Sequence, residues 1–329
     1  MVGVGIDVSK GSLSVAIHGA GNPWEGTFEN TTAGRKALVK VVKKRTKREK
    51  QVRAVVEPTA TYHVAVAKQL VSAGLRVMVA NPRRTKHFFK SRNQRAKTDR
   101  ADSHALAAYA LAMPFEEWQP PAASVEALRS VVRRRKQLVE MCTAEKARLK
   151  ELRATGGEDA VIASVLAHIK WLNAQIKALA AQAVAIVKAD ASLWDWKQLL
   201  ESIPGVGEIT SLTVISELAY LNDDLDNKQL TAFVGLDPRP FQYGMMDAKR
   251  RISKAGNRHL RTALFLAAWT ATKNSPHVRA WKEGYLARGK AKKLVNVACA
   301  RRLLLTMNAM RRTNASWDGE RFHALQESA

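Results

Sequence analysis

The sequence predicts an α/β domain followed by an all-helical half, and three observations carry that reading. Short apolar runs bounded by turn residues alternate with amphipathic stretches from Val2 to Ala80, the pattern of strands interleaved with helices. After Pro114, Pro120 and Pro121 the apolar residues recur every three or four positions, which is helix spacing. The chain has 329 residues, 46% of them hydrophobic, enough for two or three domains with real cores.

Val2-Gly3-Val4-Gly5-Ile6-Asp7-Val8 reads as a buried strand, Ser9-Lys10-Gly11 as a turn and Ser12–His18 as a second, alternating strand. A third strand around Trp24–Phe28 completes an antiparallel meander. Thr31 and Thr32 cap a helix that runs to Lys44 with Leu38, Val41 and Val42 on one side. Arg53–Glu57 is the next strand, ended by Pro58, and a helix follows from about Thr61 to Ala73. Leu75–Ala80 is a strand ended by Asn81-Pro82, and Thr98 caps a further helix carrying Leu106, Ala107 and Leu111. Three strands, helix, strand, helix, strand, helix is the order of the ribonuclease H fold, here spanning residues 1–118.

In such a mixed sheet the carboxyl ends of neighbouring strands share one edge, where ligands bind. Asp7 and Glu57 belong at that edge. Asp99 and Asp102 stand three apart, so both project from one face of the helix that follows. Alone, that pair suits a capped helix start. Beside Asp7 and Glu57 it makes four convergent carboxylates, which repel one another unless cations neutralise them. Hard divalent cations with oxygen ligands answer that need. Mg²⁺ is the expected ion, with Mn²⁺ as the alternative, and two ions about 4 Å apart are a known solution for phosphodiester chemistry.

The formal net charge is +25, from 54 Lys and Arg against 29 Asp and Glu. Such a field attracts polyanions, with nucleic acid foremost. Arg83, Arg84, Lys86, Lys90, Arg92, Arg95 and Lys97 lead straight into the acid pair, with His87, Phe88 and Phe89 among them, and suit a phosphate backbone. No apolar run reaches membrane-spanning length, and the N-terminus opens directly on a strand, so a signal peptide is not expected. Cys142 and Cys299 are the two cysteines, and neither zinc nor a disulfide framework is expected. A cytoplasmic, nucleoid-associated protein is the expectation.

Residues 119–192 predict a hairpin of two long helices. Val125–Arg153 contains the basic segment Arg133-Arg134-Arg135-Lys136, and Thr155–Asp159 breaks it. The second helix repeats Ile162, Val165, Ile169, Leu172, Ile176, Leu179, Ala183 and Ile186, a coiled-coil seam whose size predicts self-association. Residues 193–329 predict a helical domain. Ile203-Pro204-Gly205-Val206-Gly207 reads either as a helix-hairpin-helix phosphate turn or as a plain interhelical turn. Phe241–Lys249 is loop-like. A basic turn follows, with Lys249, Arg250, Arg251, Lys254, Arg258 and Arg261 as candidate nucleic-acid contacts.

Gly5-Ile6-Asp7-Val8-Ser9-Lys10, Val56-Glu57-Pro58-Thr59, Asn81-Pro82 and Lys97-Thr98-Asp99-Arg100-Ala101-Asp102 resemble the RuvC-like domain of the DEDD transposases of insertion sequences, the family that includes the Piv pilin-gene invertase. Ile203–Gly207, Phe233-Val234-Gly235-Leu236-Asp237-Pro238 and Ile252-Ser253-Lys254-Ala255-Gly256-Asn257 are similar to that family's C-terminal transposase domain, so the resemblance covers nearly the whole chain. It implies a recombinase that assembles as dimers and tetramers and is guided to DNA by a structured non-coding RNA. It also implies a metal-binding tetrad of Asp7, Glu57, Asp99 and Asp102, and a nucleophilic serine in the C-terminal domain. There the sequence departs from the family, for Tyr243 aligns where that serine belongs. Three alternatives follow: Tyr243 is the nucleophile, Ser253 is, or strand transfer is lost, leaving a metal-dependent nuclease or a nucleic-acid-binding protein.

Overall fold

The computed structural model describes residues 1–19, 21–47, 51–92, 98–221, 225–239, 242–243, 246–247 and 251–324. The chain divides into two compact units, Met1–Pro120 and Pro121–Ala329.

The first unit is a five-stranded mixed sheet flanked by helices, in the chain order β1 (Val2–Val8), β2 (Ser12–His18), β3 (Trp24–Glu29), α1 (Thr32–Arg45), β4 (Val52–Val56), α2 (Tyr62–Ser72), β5 (Arg76–Val79), α3 (Pro82–Ser91) and α4 (Asp99–Ala112). The spatial order is β3-β2-β1-β4-β5. The meander β1–β2–β3 is antiparallel, while β4 pairs parallel with both β1 and β5. Strand β1 is buried on both faces, which explains its nearly unbroken apolar run. Val2, Val4, Ile6 and Val8 join Leu38 and Val42 of α1 and Val66 and Leu70 of α2 in one core. The Thr31 hydroxyl accepts from the Gly34 N–H at 3.1 Å and caps α1.

One element differs from the sequence expectation. The basic run after β5 is not a bare approach to the acid pair but begins with its own helix, α3. Asn81 caps it by accepting from the Arg83 N–H at 2.9 Å, and Pro82 occupies the first turn, where its missing N–H costs nothing. Phe88 and Phe89 are half-buried against Tyr109 and its neighbours, so packing accounts for them.

The second unit begins with two long helices, α5 (Ala123–Thr155) and α6 (Asp159–Lys188), joined through Gly156 in the left-handed conformation. Leu138, Cys142 and Leu172 form a small core between them, with Ile169, Ile176 and Leu179 packed against it. At the other end Val125 and Leu128 of α5 and Ala183 and Val187 of α6 belong to the core of the helices that follow. Those are α7 (Ala191–Glu201), α8 (Glu208–Leu218), α9 (Asn227–Val234), α10 (Arg258–Asn274), α11 (Pro276–Ala287), α12 (Lys292–Thr313) and α13 (Gly319–Ala324). Between α9 and α10 lie two short ladders, β6 (Pro238–Arg239) with β9 (Arg251–Ile252) and β7 (Gln242–Tyr243) with β8 (Met246–Asp247). Among the described residues no helix is long and apolar enough to cross a membrane. Both cysteines are free and buried.

Candidate active site

The acids of the first unit are placed by register. Ile6 pairs with Val56 across parallel strands, so Asp7 and Glu57 are the next residues on adjacent strands, and the Glu57 N–H donates to the Ile6 carbonyl at 3.4 Å. On β1 the side chains alternate, which sets Gly3, Gly5 and Asp7 on one face. Helix α4 lies directly on that face. A β-carbon at Gly3 would stand 2.3 Å from the Ala107 carbonyl oxygen, and one at Gly5 2.0 Å from that of Ser103. Only glycine admits so close a helix. Moving two residues along the strand covers about 7 Å, or four to five residues of helix. The glycine contacts step down α4 from Ala107 to Ser103, and the next position on the face, Asp7, comes level with the first turn. That turn holds Asp99 and Asp102, capped by the Thr98 hydroxyl, which accepts from the Ala101 N–H at 3.2 Å.

The electrostatics agree with the register. Burial, then the charges of Asp99, Asp102 and Glu57, push the Asp7 carboxyl up to about 6 from an ordinary 3.8, opposed by a backbone hydrogen bond at Val8. The buried Thr85 hydroxyl lies 3.4 Å from Glu57 Oε1 and 3.1 Å from the Pro82 carbonyl, tying the acid edge to α3. As a donor set, the Asp7 carboxylate with three further acids near enough to raise its proton affinity fits a hard divalent cation in charge and in chemistry. They do not form a closed cage, for among the described residues no group of three or more His, Cys, Asp and Glu is drawn together tightly enough to hold a metal ion.

Sequence reasoning missed a polar chain beside this edge. His104 Nε2 lies 2.8 Å from Glu25 Oε2, His104 Nδ1 lies 2.8 Å from His18 Nε2, and Arg100 Nε donates to Glu25 Oε2 at 2.6 Å. With Glu25 as acceptor, His104 donates from Nε2 and accepts from His18, an assignment made from the network. Burial, then the charges of His104 and Arg92, hold the His18 imidazole below its usual range. The chain fastens β2 and β3 to the first turns of α4. Only the Arg100–His104 spacing on one helix face hints at it in the sequence.

The basic candidates divide by environment. Arg83, Lys86, Lys90 and Arg92 are exposed on or just after α3, and Arg84 is exposed in an ion pair with Glu116 at 3.0 Å. Arg95, Lys97, Lys249 and Arg250 lie outside the described residues. Arg133 makes two bonds, 2.8 and 3.0 Å, to Glu217, whose side chain is 1% exposed. Arg129 and Asn257 complete that carboxylate's partners at 3.0 and 2.6 Å. Arg134 is exposed, and Arg135 is half-buried with a buried Nε that has no partner. Arg251, Lys254 and Arg258 are exposed, whereas Arg261 donates to the Val234 carbonyl at 2.8 Å and holds the end of α9.

The two C-terminal motifs form one structure. The Asn257 N–H donates to the Phe233 carbonyl at 2.7 Å and the Ser253 N–H to that of Asp237 at 2.9 Å. A β-carbon at Gly256 would stand 2.0 Å from the Phe233 oxygen. The Ser253 hydroxyl donates to Asp237 Oδ1 at 2.5 Å and accepts from the Ala255 N–H at 3.3 Å. Tyr243 pairs through its backbone with Met246. In the Ile203–Gly207 turn, Gly205 has φ +90° and its carbonyl accepts from the Thr270 hydroxyl at 2.7 Å, so that glycine serves packing on α10.

A family model described as "Transposase" matches residues 4–155, and one described as "Transposase IS116/IS110/IS902 family" matches residues 197–283. The chain belongs to the IS110 family of DEDD transposases. It is 26% identical to the pilin gene-inverting protein of Moraxella bovis over 97% of this chain and 98% of that protein. The pilin gene-inverting protein of Moraxella lacunata matches with the same identity and coverage. The transposase for insertion sequence element IS1111A of Coxiella burnetii is 39% identical over 25% of this chain and 22% of its own length. Membership makes the chain a DNA transposase in general terms, with DNA as its partner.

Proposed function

We propose that this transposase cuts and rejoins DNA through a RuvC-like carboxylate site made of Asp7, Glu57, Asp99 and Asp102. The observation that carries the reading is the Asp7 carboxyl, pushed up to about 6 by burial and by the charges of the other three acids. Mg²⁺ held by these four residues would stabilise the charge that develops on a phosphate under attack. The protein's own part is to supply the acids from one edge of the sheet. Strands β1 and β4 fix Asp7 and Glu57, and α4, seated on Gly3 and Gly5, presents Asp99 and Asp102. The exposed cations of α3 hold the DNA backbone beside them. As in the resemblance that the sequence carries, an element-encoded structured RNA guides the reaction, and a dimer or tetramer performs it. The pilin gene-inverting relatives fit a reaction that breaks and rejoins both partners of a DNA exchange.

A second reading is a transposase-derived nuclease or binding protein without the covalent step. It is favoured by the aligned Tyr243 and by the Ser253 hydroxyl, which is engaged with Asp237 and with the turn it closes. One experiment separates the two. Labelled DNA carrying the element ends is incubated with Mg²⁺ and guide RNA, and covalent adducts are trapped and mapped. Cleavage and joining lost in Asp7→Ala and Asp102→Ala, with the adduct on Tyr243 or Ser253, supports the first. Retained binding without any adduct supports the second.

A further inference from the structure

Helix α10 is amphipathic only in part. Leu260, Leu264, Ala267, Ala268 and Ala271 are buried in the core of the second unit, yet Phe265, Leu266 and Trp269 remain 37%, 51% and 56% exposed. Apolar side chains this large at i, i+1 and i+4 on an outward face mark a contact surface. They line one side of a groove of about 620 Å³ formed with α11 and α12. Leu286 adds an apolar wall, and Lys282 and Asn296 form part of the lining.

Lys282 is the unusual residue. The residue is 8% exposed, and its ammonium donates to Asn296 Oδ1 at 2.7 Å. Asn296 is itself fixed by its bond to the Phe265 carbonyl at 3.0 Å. Among the described residues no carboxylate pairs with Lys282, so a nearly buried cation at the groove wall lacks a counter-charge. A buried charge without an ionic partner is costly, and an anion in the groove would offset part of that cost. The lip repeats the sign: Arg279, Lys292 and Lys293 stand against one acid, Glu283. Lys273 sits 4.5 Å from the Trp269 ring centroid, which places another cation beside the aromatic face.

We propose that this groove binds an unpaired nucleotide of a nucleic-acid strand, its base against Trp269, Phe265 and Leu266 and its phosphate toward Lys282 and the Lys292–Lys293 pair. The alternation of a flat apolar surface with cations is the chemistry of single-strand binding, where bases stack on aromatic rings and phosphates follow basic side chains. Duplex DNA keeps its bases stacked inside and offers no face to Trp269. A second copy of this chain would bring the same basic lip against itself, at a net charge of +25 per chain. The inference rests on the nucleic-acid reading above but not on its chemistry, because the groove contains none of the four acids.

The test is equilibrium binding of the full chain, without divalent cations, to labelled strands of about a dozen nucleotides. Oligothymidine, oligouridine and a blunt duplex are compared at one salt concentration. Trp269→Ala should weaken the preferred single strand about tenfold, as expected for one lost stacking contact, and leave the duplex within about twofold. Trp269→Tyr should restore most of the loss. The double variant Lys292→Glu, Lys293→Glu, on exposed positions that do not threaten folding, should weaken the same strand and flatten its salt dependence. The tighter of the two single strands identifies the source as DNA or RNA. Equal losses on strand and duplex, or no loss, would overturn the proposal. So would a change of oligomeric state in Trp269→Ala, which would assign the face to a second copy. Because no Mg²⁺ is present, failure of DNA cleavage leaves this result standing, and the reverse holds as well.

Discussion

Asp7 in the first unit and Glu217 in the second are both carboxylates withdrawn from solvent, and they are treated in opposite ways. Burial alone would push Glu217 up. Two bonds from Arg133, the charge of Arg129 and a bond from Asn257 outweigh it and hold the carboxyl below the usual range. Asp7 is also buried, but its surroundings are Asp99, Asp102 and Glu57, and its carboxyl rises to about 6. A buried acid that serves the fold comes with its cations. One left among other acids stores repulsion that a cation from outside can relieve.

The contrast can be broken at several points. The largest effect is expected at Glu217→Ala, which leaves Arg129 and Arg133 without their shared partner and should cost about 3–5 kcal/mol in urea unfolding. Gly5→Ala comes next. Its new methyl meets the backbone of α4, so the helix must shift, with a loss of about 1–3 kcal/mol and a weakened acid site. Asp7→Asn should act in the opposite direction. A raised carboxyl means that the folded state binds the proton more tightly than the unfolded chain. Stability from this group is therefore complete below 3.8 and lost as pH rises through about 6. Without divalent metal, the variant should be more stable than the parent at pH 8 by about 1–2 kcal/mol, allowing for solvent screening, and show no gain below pH 3.8. The smallest effect is the acid limb of Glu217. Its lowered carboxyl contributes stability above the ordinary 4.5, lost as pH falls through its folded value, and Glu217→Gln should remove that slope.

Much of the first unit was legible in sequence because its strands are short apolar runs ended by Pro58 or Asn81-Pro82, and its helices carry plain caps at Thr31 and Thr98. Asp7 and Glu57 could be named from strand ends, and Asp99 and Asp102 from a capped helix start. What brings them level could not, since the alternation of Gly3, Gly5 and Asp7 gains meaning only when α4 lies on that face. Helix α3 was hidden because charge masks periodicity: Thr85 is its only fully buried residue. In the second unit, Arg133 read as a nucleic-acid contact because its buried partner, Glu217, lies far along the chain. Arg261 read the same way, though it closes the end of α9. Long-range pairing leaves no local pattern, and a basic segment looks alike whether it faces a phosphate or a carboxylate.

The claim that the acids of the first unit await a divalent cation is tested most directly by Mn²⁺ binding, followed by electron paramagnetic resonance with Mg²⁺ as competitor. The account predicts that the full chain binds Mn²⁺, that Mg²⁺ displaces it, and that Asp7→Asn and Asp102→Asn each weaken binding at least about tenfold. Variants that bind Mn²⁺ as tightly as the parent would contradict it.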